Sequence, residues 1–120
     1  MNGPAGLLLR WWSVEVDPDR LAEYSRFERA HSLPMFESLP GCLGVQFLRQ
    51  GNRCSALSWW SSRESIDALP RSHRYRETVA ALNRTQLLVG PARVEVFEVS
   101  GGWQPRSQFS ISSSSPSVSS

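Results

Sequence analysis

Two Trp-Trp pairs, Trp11-Trp12 and Trp59-Trp60, stand in segments whose residues favour extended chain. Neighbouring residues of a strand point to opposite faces of its sheet. A strand with Trp on both faces leaves neither face suited to water. A chain of 120 residues can cover one face with its own helices. The other face needs a second body, and a second copy of the chain is the simplest candidate. The pairs therefore predict a sheet enclosed between its own helices and a partner.

The length leaves room for one domain. The charged and apolar fractions, 20% and 40%, are ordinary for a folded protein. No apolar run is long enough to span a bilayer. Leu7-Leu8-Leu9 is too short for a signal-peptide core and has no basic leader. The expectation is a cytoplasmic protein with no membrane partner. All 13 basic residues are Arg, and guanidinium is well suited to anions and nucleic acid. The net charge is only +2, however, and Arg alternates with Glu or Asp along the helices instead of forming a stripe. No nucleic-acid partner is expected, and the Arg usage reads as codon bias. Cys42 and Cys54 fall far apart along one hairpin, with Cys54 opposite about Leu48, so no disulfide is expected. His31 and His73 are the only histidines, and neither has a Cys or His at ligand spacing, so no metal site is expected.

Residues 1–6 read as a loose leader. Residues 7–16 form a first strand, with Leu8, Trp12, Val14 and Val16 on one parity and Leu7, Leu9 and Trp11 on the other. Arg10 shares the parity of Trp12, and a charge on a covered face needs a partner. Asp17-Pro18-Asp19 combines a capping oxygen, a Pro for the first helical position and an acid for the dipole. Leu21, Tyr24, Phe27 and Phe36 fall near one face of the helix that follows, with Ala30 or His31 between them. Pro34 breaks or kinks that helix, and Leu39-Pro40-Gly41 stops it. Residues 43–50 and 53–60 pair around Gly51-Asn52. Cys54, Ala56 and Ser58 are small and share the parity of Trp60, which leaves space above the sheet. Ser61-Ser62-Arg63-Glu64 reads as a capping box with Ser61 as cap. Pro70 interrupts, and a helix resumes by about Ser72 with Tyr75, Val79 and Leu82 on one face. Gly90-Pro91 is a break, and residues 93–99 form the last strand. Residues 101–120 are serine-rich and expected to be disordered, with Trp103 and Phe109 as possible docking groups.

Strand, helix, strand, strand, helix, strand is the order of the split βαβ unit. The fold class is therefore α+β: ferredoxin-like βαββαβ, a four-stranded antiparallel sheet with both helices on one face. Pairing of two open faces would make a dimeric α+β barrel. Residues 7–100 are the domain, and within them residues 7–99, about three quarters of the chain, resemble the antibiotic biosynthesis monooxygenase domain. The residues that carry the resemblance are Arg10 and Trp12, the passage Leu39-Pro40-Gly41-Cys42-Leu43-Gly44, and the passage Leu57-Ser58-Trp59-Trp60-Ser61-Ser62. Ser72-His73-Arg74-Tyr75 and Val94-Glu95-Val96-Phe97-Glu98-Val99 also fit.

The resemblance implies a homodimer joined through the sheet face. It also implies a pocket between sheet and helices, and oxidation of a phenolic or quinol-type polycyclic by oxygen with no cofactor. A non-catalytic binding protein or a cyclase-like protein of the same fold is the alternative. Heme cleavage does not fit, because the first strand has no Asn, and Leu69 and Val79 stand where a Trp and a heme-ligating His would be. Trp60, Tyr75, Trp12 and Phe27 are the candidate substrate-binding residues, each with core packing as its plain alternative. Arg10, His31 and Tyr75 are the candidate catalytic residues. Arg10 either stabilises an anionic substrate oxygen or forms a salt bridge with Glu95 or Glu98. His73 is expected to face solvent.

Overall fold

The computed structural model describes residues 6–103. The expected leader, apart from Gly6, and the tail beyond Trp103, including Phe109, lie outside the described residues. Trp103 itself is exposed.

Four strands form one antiparallel sheet: β1 (Leu8–Glu15), β2 (Cys42–Gln50), β3 (Arg53–Trp60) and β4 (Arg93–Glu98), in the order β2-β3-β1-β4. The helical segments are α1 (Leu21–Phe27), α2 (Leu33–Ser38), α3 (Arg63–Asp67) and α4 (His73–Thr85). This is the ferredoxin-like α+β order expected.

Local chemistry sets most of the boundaries. Asp17 accepts from the Asp19 amide at 3.0 Å and starts a 3-10 turn, Pro18–Arg20, that leads into α1. Between α1 and α2 the chain widens into a π turn, Glu28–Ser32. Pro34 has no N–H to donate and its ring crowds the carbonyl four residues back. The wider turn just before it accommodates that mismatch without ending the helical path. The β2–β3 turn has two residues, with Gly51 at φ 61° and Gln50 opposite Arg53. A positive φ at the first central position suits the strand twist of a tight hairpin. The two-residue turn sets Cys54 opposite Arg49, one place from the expected Leu48, while Cys42 pairs with Trp60 at the other end of the ladder. Six residues of strand, about 20 Å, separate the two positions, and both thiols are free.

One cap is displaced from its expected place. Ser62, not Ser61, caps α3, accepting from the Ser65 amide at 3.2 Å. The Ser61 amide is committed to the Gly41 carbonyl at 2.9 Å, which keeps Ser61 tied to the sheet and starts the helix one residue later. Ser72 caps α4 through the Tyr75 amide at 3.1 Å.

The tryptophan pairs divide as strand geometry requires. Trp12 and Trp60 face the helices, where Trp12 is half-buried and Trp60 is fully buried. Trp11 and Trp59 face the other way, with Leu9, Leu57 and Phe97 on the same face by register. Trp11 is 38% exposed and Phe97 45%, so this face carries apolar surface that no helix among the described residues covers. Under the helices the core is in two parts. One gathers Leu8, Met35, Phe36, Leu39, Ala56, Trp60, Ile66 and Leu69, and the other Val14, Val16, Tyr24, Phe27, Cys54, Leu82 and Leu87. Trp12 packs against both. Among the described residues, no helix is long and apolar enough to cross a membrane.

Candidate functional site

Between the two parts of the core lies a cleft of about 660 Å³, within the range of sites that enclose small organic molecules. Its floor is the sheet: Arg10 and Trp12 of β1, Ala56 of β3 and Phe47 of β2. The space expected above the small residues of β3 is therefore present over Ala56. One wall is the first helical segment, with Tyr24, Ser32, Met35 and Phe36. The other is α4, whose Tyr75, Thr78, Val79, Leu82 and Asn83 line it together with Gln86 just beyond the helix. These positions recur at three and four residues, which is one continuous helical face.

Arg10 is the electrostatic centre of the cleft. It is 7% exposed, and its Nη2 donates to Tyr75 Oη at 3.1 Å. The guanidinium carbon lies 5.7 Å from the Tyr75 ring centroid. No carboxylate pairs with it among the described residues. The alternative role, a salt bridge to Glu95 or Glu98, is not formed, for a geometric reason. Glu95 stands beside Trp11 in the ladder, on the opposite face, and Glu98 stands beside Leu8, one residue pair further along. A buried cation with only a neutral partner is expensive unless an anion completes it. Because Arg10 occupies a lone pair of the Tyr75 oxygen, the hydroxyl proton is free to be donated elsewhere.

Two other titratable groups belong to the first helical segment: Tyr24, on the cleft wall, and Glu28, which does not line it. Burial, reinforced by Glu28 and Cys54, raises the Tyr24 hydroxyl well above its ordinary range, so it stays a neutral phenol. Glu28, on the π turn, is 6% exposed. Its Oε1 is 3.6 Å from Arg49 Nη2, while its Oε2 has no hydrogen-bond partner. Burial pushes its pKa up to about 7, against the pull of Arg49 and Arg29.

Of the residues expected at the site, Arg10, Tyr75 and Trp12 line the cleft together. Trp60 and Phe27 do not. Trp60 is wholly enclosed, and its indole N–H donates to Ser58 Oγ at 2.8 Å. It borders a separate hollow of about 270 Å³ against Leu39, Pro40 and Leu69. Phe27 is buried in the second part of the core and packs on the His31 ring at 4.7 Å. His31 is itself exposed and lies outside the cleft. His73 faces solvent and pairs with Glu77 at 3.0 Å. The sequence reading missed Tyr24, Met35, Asn83 and Gln86 as lining residues. The α4 face of Tyr75, Val79 and Leu82, continued by the same spacing, leads to Asn83 and Gln86. Among the described residues, no three His, Cys, Asp or Glu side chains are grouped to hold a metal ion.

The arrangement is that of a ferredoxin-like α+β protein with a ligand-sized cleft between sheet and helices. No family model matches the sequence, and no curated protein matches it. Solved structures share the fold. SnoaB, a cofactor-independent oxygenase from Streptomyces nogalater, is 17% identical, with TM-score 0.65 over 82% of this chain and 97% of its own. A candidate antibiotic biosynthesis monooxygenase from Caulobacter crescentus is 17% identical, with TM-score 0.68 over 81% and 92%. A protein of unknown function from Nitrosomonas europaea is 20% identical, with TM-score 0.69 over 86% and 98%. The chain thus has the fold of structures named as antibiotic biosynthesis monooxygenases.

Proposed function

We propose that this chain belongs with the antibiotic biosynthesis monooxygenases and is a cofactor-independent monooxygenase. Its substrate is a phenolic or quinol-type polycyclic, oxidised by O2 in the cleft. The observation that carries this reading is Arg10, a buried guanidinium on the cleft floor with a tyrosine and, among the described residues, no carboxylate as its partner. An aromatic ligand that loses a proton to become a phenolate or enolate supplies the missing anion. Arg10 and the Tyr75 hydroxyl then favour the deprotonated form, by charge and by hydrogen bonding respectively. Met35, Phe36, Val79 and Leu82 give the walls apolar surface for a ring system, and the small floor at Ala56 admits a flat ring.

With anthrone as the model substrate the chemistry balances. The enolate passes one electron to O2, and the carbon radical and superoxide combine into a peroxide anion at the ring carbon. This takes back the proton lost on enolisation to become a hydroperoxide, and loss of water leaves the quinone. One oxygen atom ends in the product and one in water. The active species is a homodimer joined through the open sheet face that carries Trp11, Trp59 and Phe97.

The test is oxygen uptake with anthrone and dihydroxynaphthalene. Wild type should exceed the autoxidation rate, and Arg10→Gln should fall to it. No uptake above that rate with any substrate of the class overturns the enzymatic reading. A non-catalytic binding protein is the second reading, and one observation favours it: among the described residues no His, Asp or Glu lines the cleft, so the base would have to be solvent.

A further inference from the structure

The cleft has a second polar end, built on a backbone position that usually goes to glycine. Gln86 follows the last residue of α4 with φ 58° and ψ 28°, and it is the one non-Gly residue with positive φ among those described. Just past a helix C-terminus this left-handed conformation is common, but Gly adopts it at least cost. The backbone is firmly held there. Arg20 donates to the Gln86 carbonyl at 3.3 Å and to the Thr85 carbonyl at 3.2 Å. Both oxygens of the Glu23 carboxylate accept from the same guanidinium at 3.0 Å. Gln86, carried on this anchored, disfavoured backbone, lines the cleft with Asn83, and both residues are exposed, at the solvent-open end.

Along α4, at 1.5 Å per residue, Asn83 lies about 12 Å and Gln86 about 16 Å from Tyr75. A single phenol held by Arg10 and Tyr75 reaches neither. A linear system of three or four fused rings spans the distance. We propose that Gln86 is a specificity-determining residue. Its carboxamide, with that of Asn83, hydrogen-bonds an oxygen substituent at the far end of an elongated aromatic whose near end is held by Arg10 and Tyr75. Arg20 is a positioning residue that acts through the Gln86 backbone. This proposal rests on the aromatic-ligand reading above and specifies the length and the second functional group of the ligand.

Equilibrium dialysis with two stable probes tests it. One is anthraflavic acid, an anthraquinone with a hydroxyl at each end of its long axis. The other is its monohydroxy relative, with a hydroxyl at one end only. Wild type should prefer the two-ended compound by on the order of fivefold, the equivalent of one ordinary net hydrogen bond. Gln86→Gly should reduce that preference and keep or raise the melting temperature, because Gly relieves the backbone, and Gln86→Gly combined with Asn83→Ala should erase it. Arg20→Gln should reduce the preference without weakening the one-ended compound. Equal binding of the two probes by wild type overturns the proposal alone, as does a preference undiminished in Gln86→Gly. A preference unchanged in Arg20→Gln overturns the positioning role. Binding of neither probe overturns the proposal together with the aromatic-ligand reading beneath it.

Discussion

Arg10 and Tyr75 are 65 positions apart in the chain, and a 3.1 Å hydrogen bond joins them in the cleft, with no acid among the described residues to neutralise the guanidinium. A pair built only for stability would be better made from apolar groups. Arg10→Met should therefore leave the melting temperature unchanged or raise it, while abolishing binding of a phenolate such as deprotonated anthraflavic acid. Tyr75→Phe should do the reverse on stability, because it leaves Arg10 buried without its partner, at about 1–3 kcal/mol. Thermal melts and dialysis on the two variants check both halves. A marked loss of stability in Arg10→Met would make Arg10 a structural residue.

Trp60 has the opposite character. It is enclosed in the core and absent from the cleft. Trp60→Ala should cost roughly 3–5 kcal/mol of stability. Trp60→Phe should cost less and leave ligand affinity at the wild-type value. If Trp60→Phe changes affinity with little effect on the melt, the cleft extends further than its lining residues show.

The open sheet face predicts association. Interfaces that complete a hydrophobic face commonly bury on the order of 2,000 Å² or more. Wild type should sediment as a dimer at micromolar concentration, and Trp11→Arg, placed at the centre of the face, should shift it toward monomer. A monomeric wild type would remove the homodimer from the proposed function.

Glu28 should make stability depend on pH. Its pKa is raised from 4.5 to about 7 in the folded state, so the folded chain holds a proton that the unfolded chain has released. Its contribution is most favourable below pH 4.5 and is lost as pH rises to about 7. Glu28→Gln should match wild type in melts near pH 4.5. Above pH 7 it should be the more stable protein, by on the order of 3 kcal/mol. Parallel pH profiles for the two proteins would show that Glu28 finds a partner on ionising.

The sequence by itself determined the order of elements, the faces of the strands and most helix ends. Those properties are written in short-range chemistry. Strand side chains alternate with period two, so the Trp pairs had to divide between faces. Asp17, Ser72 and Gly51 act on the backbone within a few residues. Tertiary structure decided what each face meets. Parity places Trp12 and Trp60 on the same side of the sheet but says nothing of what stands above them. Ile66 and Leu69 of the second helical segment share the core part that closes over Trp60, while the gap between the two parts of the core leaves Trp12 on open space. Arg10 needed a partner by its burial alone, and Glu98 was as near in sequence register as any. Only the packing of α4 across the sheet brought the hydroxyl of Tyr75 to it. Local patterns record direction, whereas distance across a core depends on how two layers settle against each other. The cleft, a product of that distance, had to wait for the fold.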